Sequence, residues 1–546
     1  MSGGLWRSSL RTVCGIVVAA VAVIPATTGS EAVDRTDIPL KNWGGFSLFR
    51  DAVYDDLERL VAAGLADRTI LNTKPISRAE AARMVARAIE TIRADTAGAY
   101  NNRQDLESVL NRLMEEFRTE LAALGVKLPA EGPARAPGLV SFTPVDRAQV
   151  WGAYTSRNFT PVNVRGLRLF EGVNGGFTFE SRAQVGDHVT FYLQPELHGN
   201  EDYGAARLAT GYVKLTAFNV ELLAGRENLF WGPGLHGSLT MSNNAAPLDQ
   251  VRIGAAEPFR LPLVGDWIGP TKILAFFAQL ESRRDFPRAQ LVGMRVTISP
   301  ASFLELGGSY VNMIGGDVRP RLRGVGDYLT VLFDPDETGP SSGASPRVRN
   351  NVLFGIDADL RIANVHRFFI PANDARLYGE FGWDDTCCST FYVPLREATS
   401  YLFGVQLLGL FGQEGLDYRL EFATSSRLSF NHFQYYRGYW TRGDVISHVM
   451  GTDGTDLFNR ISKRFGTDLM VGVSVNRLEI GNTLIDAIGG PREKRFGAAV
   501  DVSYRFANAY VLFGQAQVMH TTHRNFVAGD SGLDGLVLVE LTRSFR

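Results

Sequence analysis

The chain is short of cysteine, of long apolar runs and of excess charge. Its 546 residues hold three cysteines. One of them, Cys14, falls in an N-terminal segment that reads as cleaved, which leaves the sequence neighbours Cys387 and Cys388. A disulfide between adjacent residues is strained, so a disulfide framework is excluded and the pair reads as a loop feature. The formal net charge is -2, which gives no basic footprint for nucleic acid. After the N-terminus no segment has an uncharged apolar run of the ~20 residues a spanning helix needs. A mature chain of this kind is either soluble or crosses a membrane as strands.

The N-terminus reads as a secretory signal over residues 1–32. Arg7 and Arg11 precede a short apolar run, and small residues follow from Ala26. Three zones follow: a helical domain over 33–128, a Pro/Ala/Gly linker over 129–144, and a β region over 145–546. In the helical domain Leu57, Leu60, Val61 and Leu65 share one face. Ser77-Arg78-Ala79-Glu80 forms a capping box that opens a second helix. Leu106, Leu110, Leu113, Phe117, Leu121, Leu124 and Leu128 then recur at steps of three or four, a narrow stripe that suits a packed helix. Residues 54–80 also resemble the surface-layer-homology repeat found in the periplasmic part of some porins, although a plain helical bundle is the better reading of this zone.

In the β region apolar and polar residues alternate. Phe177, Phe179, Ala183 and Val185 oppose Thr178, Glu180, Arg182 and Gln184, and Gly186-Asp187 turns the chain back. The same alternation marks 352–362, 376–384 and 496–506. A soluble sandwich alternates as well. Here, however, the strands run to about ten residues, the length that crosses a bilayer at a tilt. Acids and bases also share the polar face, as in a lumen crossed by ion pairs. Short turns (Gly186-Asp187, Ser299-Pro300-Ala301) alternate with long irregular stretches (315–350, 425–456), the pattern of periplasmic turns and external loops. Some 400 residues at roughly 22 per strand and connection make about 18 strands. The expected fold is therefore an all-β transmembrane barrel of about 18 antiparallel strands, with a small N-terminal α-helical periplasmic domain. Phe545 near the C-terminus fits a closing strand over 536–545, although Arg546 follows it.

One stretch, residues 225–252, breaks the alternation. It sets Arg226, Glu227, Trp231, His236, Asn243, Asn244 and Asp249 among glycines. Glycine permits sharp turns and close approach, Trp offers a face for a sugar ring, and Asn, Asp and Arg supply donors and acceptors. The chemistry equally suits a loop folded into a lumen and tied to its wall. This stretch, with residues 445–454 and the 291–315 hairpin, resembles the capsule assembly family called Wzi. That resemblance implies an outer-membrane, lectin-like barrel, its pore largely occluded by loops, which attaches secreted capsular or extracellular polysaccharide to the cell surface. It implies no catalytic residue, no metal and no cofactor. The seven residues above are candidate glycan or lumen contacts. Expected partners are polysaccharide and outer-membrane lipid, with peptidoglycan a further one through the helical domain. The competing reading is a diffusion porin whose helical domain contacts peptidoglycan.

Weaker patterns carry less. Gly529-Asp530-Ser531-Gly532 copies a serine-protease motif without its histidine partner. His520 and His523 fall on opposite faces of a strand. Asp453 and Asp456 suit a turn as well as a calcium ion.

Overall fold

A computed structural model describes residues 33–40, 52–95, 103–128, 140–317, 326, 350–384, 398–431, 435–482, 490–507 and 509–545. The residues read from sequence as a signal, most of those read as a linker, Cys387 and Cys388, most of the 315–350 stretch, and Arg546 lie outside the described residues.

Alternation builds a closed antiparallel barrel of 18 strands. In chain order they are β1 (Val140–Thr155), β2 (Gly172–Val185), β3 (Val189–Asn200), β4 (Gly204–Ala217), β5 (Val220–Glu227), β6 (Leu248–Ala255), β7 (Pro270–Gln279), β8 (Gln290–Ala301) and β9 (Leu304–Ile314). The second half comprises β10 (Asn350–Ile362), β11 (Asp374–Asp384), β12 (Thr399–Leu408), β13 (Leu416–Ser425), β14 (Thr455–Phe465), β15 (Leu469–Ile480), β16 (Glu493–Phe506), β17 (Tyr510–Thr522) and β18 (Ser531–Ser544). The short segment Phe259–Arg260 continues β6 along β7. Each strand pairs with the next, and β18 closes on β1 from Arg147↔Ser544 to Thr155↔Leu536. Closure removes every unpaired sheet edge, which is the condition for strands to sit in lipid.

The two faces are chemically opposite. Outward positions hold Val150, Phe177, Phe191, Leu215, Ile356, Phe403, Val500 and Val539, all exposed. Inward positions hold buried charges paired along the wall: Arg295 with Asp357 at 2.7 Å, Arg376 with Asp359 at 2.9 Å, Arg460 with Asp501 at 2.5 Å. An apolar exterior over a charged, self-neutralised interior is the arrangement of a transmembrane barrel. Short connections lie at the end that carries both barrel termini, which is the periplasmic end.

Three sequence-based boundaries move. β8 runs through Ala301, so its turn is Ser302–Phe303, because the strand bulges between Ile298 and Ala301 instead of ending there. The closing strand begins at Ser531, five residues before the apolar row at Leu536. The leucine stripe from 106 is two helices rather than one. It breaks at Phe117, whose φ of -108° and ψ of 24° are non-helical and whose ring lies 4.9 Å beneath the Arg78 guanidinium.

Among the described residues, the helices before the barrel are α1 (Ala52–Ala62), α2 (Arg78–Ala94), α3 (Arg103–Glu116) and α4 (Arg118–Ala123). Ser77 caps α2, its side chain accepting the Glu80 N–H at 3.2 Å. Their apolar faces form one core that runs from Leu57 and Val85 to Leu113 and Phe117. Their polar faces meet the barrel wall at the periplasmic mouth. Glu58 receives Arg376 at 2.8 Å and Arg419 at 2.9 Å. Arg59 reaches Asp417 at 2.5 Å, Glu80 meets Lys272 at 2.6 Å, and Asp37 meets Arg252 at 2.6 Å. Burial works to raise the Glu58 carboxyl, yet Arg376, Arg419 and Lys74 outweigh it and hold it at about 2. The helical unit is thus wedged into the mouth and fixed there by buried charge. An open cleft remains between α1 and α3 and strands β14–β18. Phe513, part of its lining, also belongs to an apolar cluster with Trp151, Leu538, Leu167 and Leu169.

Candidate functional site: the closed outer mouth

The connection from β5 to β6, residues 228–247, starts at the outer end of the wall and folds into the lumen. Its composition explains why. Phe230, Trp231, Leu235, Leu239 and Met241 are buried apolar residues that find a dry interior only inside the barrel. Phe230 and Trp231 pair antiparallel with Lys74 and Thr73 of the helical unit. The Gly232 N–H donates to the Asn72 carbonyl at 2.9 Å. Gly232 has φ 135°, and a side chain there would collide with Glu380, so glycine is required. The Lys74 ammonium sits 5.4 Å over the Phe230 ring, and burial lowers it to about 8. The outer loop and the inner helices therefore meet midway and share a two-stranded seam.

Two wall carboxylates hold the loop. The Leu235 and His236 N–H groups donate to Glu421 at 2.6 and 2.8 Å, and the Tyr378 hydroxyl donates to the same carboxylate at 2.6 Å. The Leu239 N–H and the Ser238 hydroxyl donate to Glu380 at 2.8 and 3.1 Å. The His236 ring stacks on Phe458 at 4.5 Å, with its Nε2 3.3 Å from Asp456 Oδ2. His448 brings its own Nε2 to 3.5 Å from that same oxygen. Burial drives His448 down to about 3, and burial together with His448 drives His236 well below its ordinary value. Both rings are neutral at pH 7, so these are contacts of neutral imidazoles and not ion pairs.

A second loop, between β13 and β14, lies over the first. The Ser242 N–H donates to the Ile446 carbonyl at 3.0 Å and its hydroxyl to Ser447 at 2.6 Å. Asn244 donates to the Val445 carbonyl at 3.1 Å. Asn243 donates to the carbonyls of Asn163 at 3.0 Å and of Leu40. Loops 156–171, 228–247 and 435–454 are thereby knitted into a lid above the helical unit.

The seven residues singled out from sequence separate into two groups. Trp231, His236, Asn243 and Asn244 are buried within the lid. Trp231 packs edge-on against Phe276 at 5.5 Å and shows no face to solvent. Glu227 is buried in the wall, paired with Arg252 at 2.6 Å. Arg226 and Asp249 face each other across β5 and β6 at the outer rim, joined at 2.6 Å and partly exposed. The rim pair does not stand alone. Arg442 reaches Asp249 at 3.5 Å, Arg168 reaches Asp444 at 3.3 Å, and Arg207 reaches Glu196 at 3.1 Å. Burial pushes the Asp444 carboxyl up to about 6 against the pull of Arg168 and Arg207. Four arginines thus converge on one sector of the rim.

Sequence reasoning missed Arg168, Arg207 and Arg442, because they come from three separate loops and strands and no spacing links them. It also missed the wall receptors Glu380 and Glu421. Alternation marks both as inward, but nothing in sequence says what they receive. Asp456, read from sequence as a turn residue, points inward from β14 between the two histidines. Among the described residues, no group of three or more His, Cys, Asp or Glu side chains is arranged to hold a metal ion.

Comparison with known proteins adds four findings. The family model described as capsule assembly protein Wzi matches residues 142–531. An uncharacterized 55.8 kDa protein in the cps region of Klebsiella pneumoniae is 22% identical over 368 residues, covering 66% of this chain and 62% of that protein. Outer membrane protein SlpA of Deinococcus radiodurans is 28% identical over 120 residues, which is 22% of this chain and 10% of that one. Among solved structures, Escherichia coli Wzi, described as a carbohydrate-binding β-barrel of the outer membrane involved in group 1 capsule assembly, superposes with a TM-score of 0.64. It is 19% identical and covers 90% of this chain and 98% of that one.

Proposed function

This chain belongs to the Wzi capsule assembly family, and from that premise we propose that it is a non-catalytic, lectin-like barrel that holds capsular or extracellular polysaccharide at the cell surface. The barrel spans the outer membrane, its apolar exterior facing lipid. The observation that carries the functional reading is that the described residues obstruct the lumen from both ends. A helical wedge from below and a knitted lid from above leave the polar outer rim as the surface on which a polymer can rest.

The rim has suitable chemistry. Arginine forks present paired N–H donors to hydroxyls and carboxylates. Arg168 and Arg442 are about half exposed and held by acidic partners, so their donors are ordered before a ligand arrives. Arg226 and Asp249 complete this sector. Trp231, His236, Asn243 and Asn244 serve it indirectly, by fixing the lid. The diffusion-porin reading needs an open lumen and finds little support in this geometry. A contact with peptidoglycan would use the periplasm-facing surface of the helices, where Arg87, Glu90, Arg93 and Glu107 are exposed.

The test is binding of the purified full chain to polysaccharide extracted from the producing cells. Wild type is expected to bind, and Arg168→Ala with Arg442→Ala together to bind at least tenfold more weakly while remaining folded. Equal binding by both would remove the rim from the site, and no binding by wild type would remove the function.

A further inference from the structure

The short connections at the periplasmic end are unequal. Residues 186–188 are Gly-Asp-His, 466–468 are Gly-Thr-Asp and 507–509 are Ala-Asn-Ala. The other five connections, 218–219, 256–269, 302–303, 363–373 and 409–415, stand side by side along the rim from β4 to β13. Each of these five holds a large apolar side chain in the open. Relative exposure is 76% for Phe218, 104% for Leu263, 85% for Trp267, 52% for Phe303, 99% for Phe369 and 69% for Phe411.

Their backbone makes the choice of residue more pointed. Phe218, Leu263, Phe369 and Phe411 have φ of 51°, 71°, 63° and 55°, the left-handed region where glycine and asparagine are usual and bulky side chains are disfavoured. Asn219 and Asn364, in the same connections, show the residue that water would favour there. A bulky apolar group that is both strained and fully exposed gains nothing from an aqueous setting.

The 363–373 connection gives the direction. Val365 and Ala372 pack with Ala375 against Ile362, Ile370 and Leu407. Ile362, Ala375 and Leu407 are lipid-facing positions, because their neighbours Arg361, Arg376 and Gln406 point into the lumen and are buried. This connection therefore folds back over the outer wall and not beneath the lumen. The Phe411 N–H donates to the Pro371 carbonyl at 2.7 Å, tying the next connection to it. On the opposite arc the apolar surface stops sooner. Phe465, Tyr504, Phe506 and Tyr510 sit at strand ends, with Phe506 and Tyr510 stacked at 5.3 Å, and the turns beyond them, 466–468 and 507–509, carry only small or polar residues.

We propose that the connections from β4 to β13 form an apolar crescent immersed in the phospholipid of the periplasmic leaflet, so that the barrel sits with this side deeper in the bilayer than the β14–β18 side. Continuity with the lipid-facing wall selects phospholipid as the occupant. Trp and Phe at the headgroup boundary are the side chains that stabilise such a seat. The inference is independent of polysaccharide binding.

The experiment uses the full chain with its own cysteines replaced by serine, in phosphatidylethanolamine/phosphatidylglycerol nanodiscs holding one barrel each. Spin labels are placed at Phe218→Cys, Phe369→Cys and Phe411→Cys, with Asp187→Cys and Thr467→Cys for comparison. Power saturation is expected to show collision with oxygen exceeding that with a water-soluble nickel chelate at the first three positions, and the reverse at the other two. Nickel-dominated collision at all five overturns the proposal. So does shielding of the crescent only in discs that hold two barrels, which would make it a contact between copies. Trp267 gives a label-free check. Acyl-brominated lipid should quench more emission from wild type than from Trp267→Phe, and equal quenching would contradict immersion.

Discussion

Glu58 is the most instructive position to perturb. It lies on α1, fully buried, with Arg376 and Arg419 within hydrogen-bonding distance and Lys74 at 3.6 Å. Glu58→Gln keeps the shape and removes the charge, leaving three buried cations to repel one another. The folded carboxyl lies at about 2 against an ordinary 4.5, a difference worth about 3 kcal/mol. Breaking a buried ion pair costs a similar ~3–5 kcal/mol. The equilibrium between wedged and released helices should therefore shift by about two powers of ten. Trypsin cleavage of the helical segment in the folded barrel reads this, and it should rise by about that factor while the barrel keeps its strand signal. The sign with pH follows from the depressed value. The contribution is complete above pH 4.5 and fades as pH falls toward 2, so wild-type helices loosen in that window and the variant shows no such step. A variant cleaved at the wild-type rate would refute the idea that buried charge fixes the wedge.

Further outcomes follow from the lid. Trp231→Ala opens a cavity in a closed, apolar packing and should lower stability by about 3–5 kcal/mol, seen as a lower melting temperature, with polysaccharide affinity of the folded fraction unchanged. A specific loss of affinity at unchanged stability would return Trp231 to the binding surface. His448 is neutral when folded because burial depresses it to about 3, so stability is lost as pH falls from 6.5 toward 3. At pH 4.5 the lid should be weaker by about 2–3 kcal/mol than at pH 7. His448→Asn should flatten the dependence of thermal stability on pH over that range, and an unchanged slope would contradict the assignment.

Much of the barrel was legible because its determinants are local. Period-two alternation with lipid outside and charge inside needs no knowledge of what lies across the lumen. It marked the paired strands around Phe177, Phe354 and Val500 correctly and led to about 18 strands. Ser77 was legible for the same reason, since a cap acts three residues away. The site was less so. Residues 225–252 stood out as a break in the pattern, but sequence could not say whether Trp231 faces a sugar or Phe276, because that depends on contacts spanning the lumen. The seam between Trp231 and Thr73 joins residues more than 150 positions apart. The arginine sector at the rim was invisible for the same reason. The sequence of the helices does not say what their polar faces meet, and only the opposing wall charges reveal why Glu58 and Arg59 are buried.

Retention of polymer by this barrel is tested by measuring where the polymer goes. In cells lacking the gene, polysaccharide should move from the cell-bound fraction to the medium with the total unchanged, and re-expression should reverse the shift. Polymer that stays on cells lacking the protein would contradict the account.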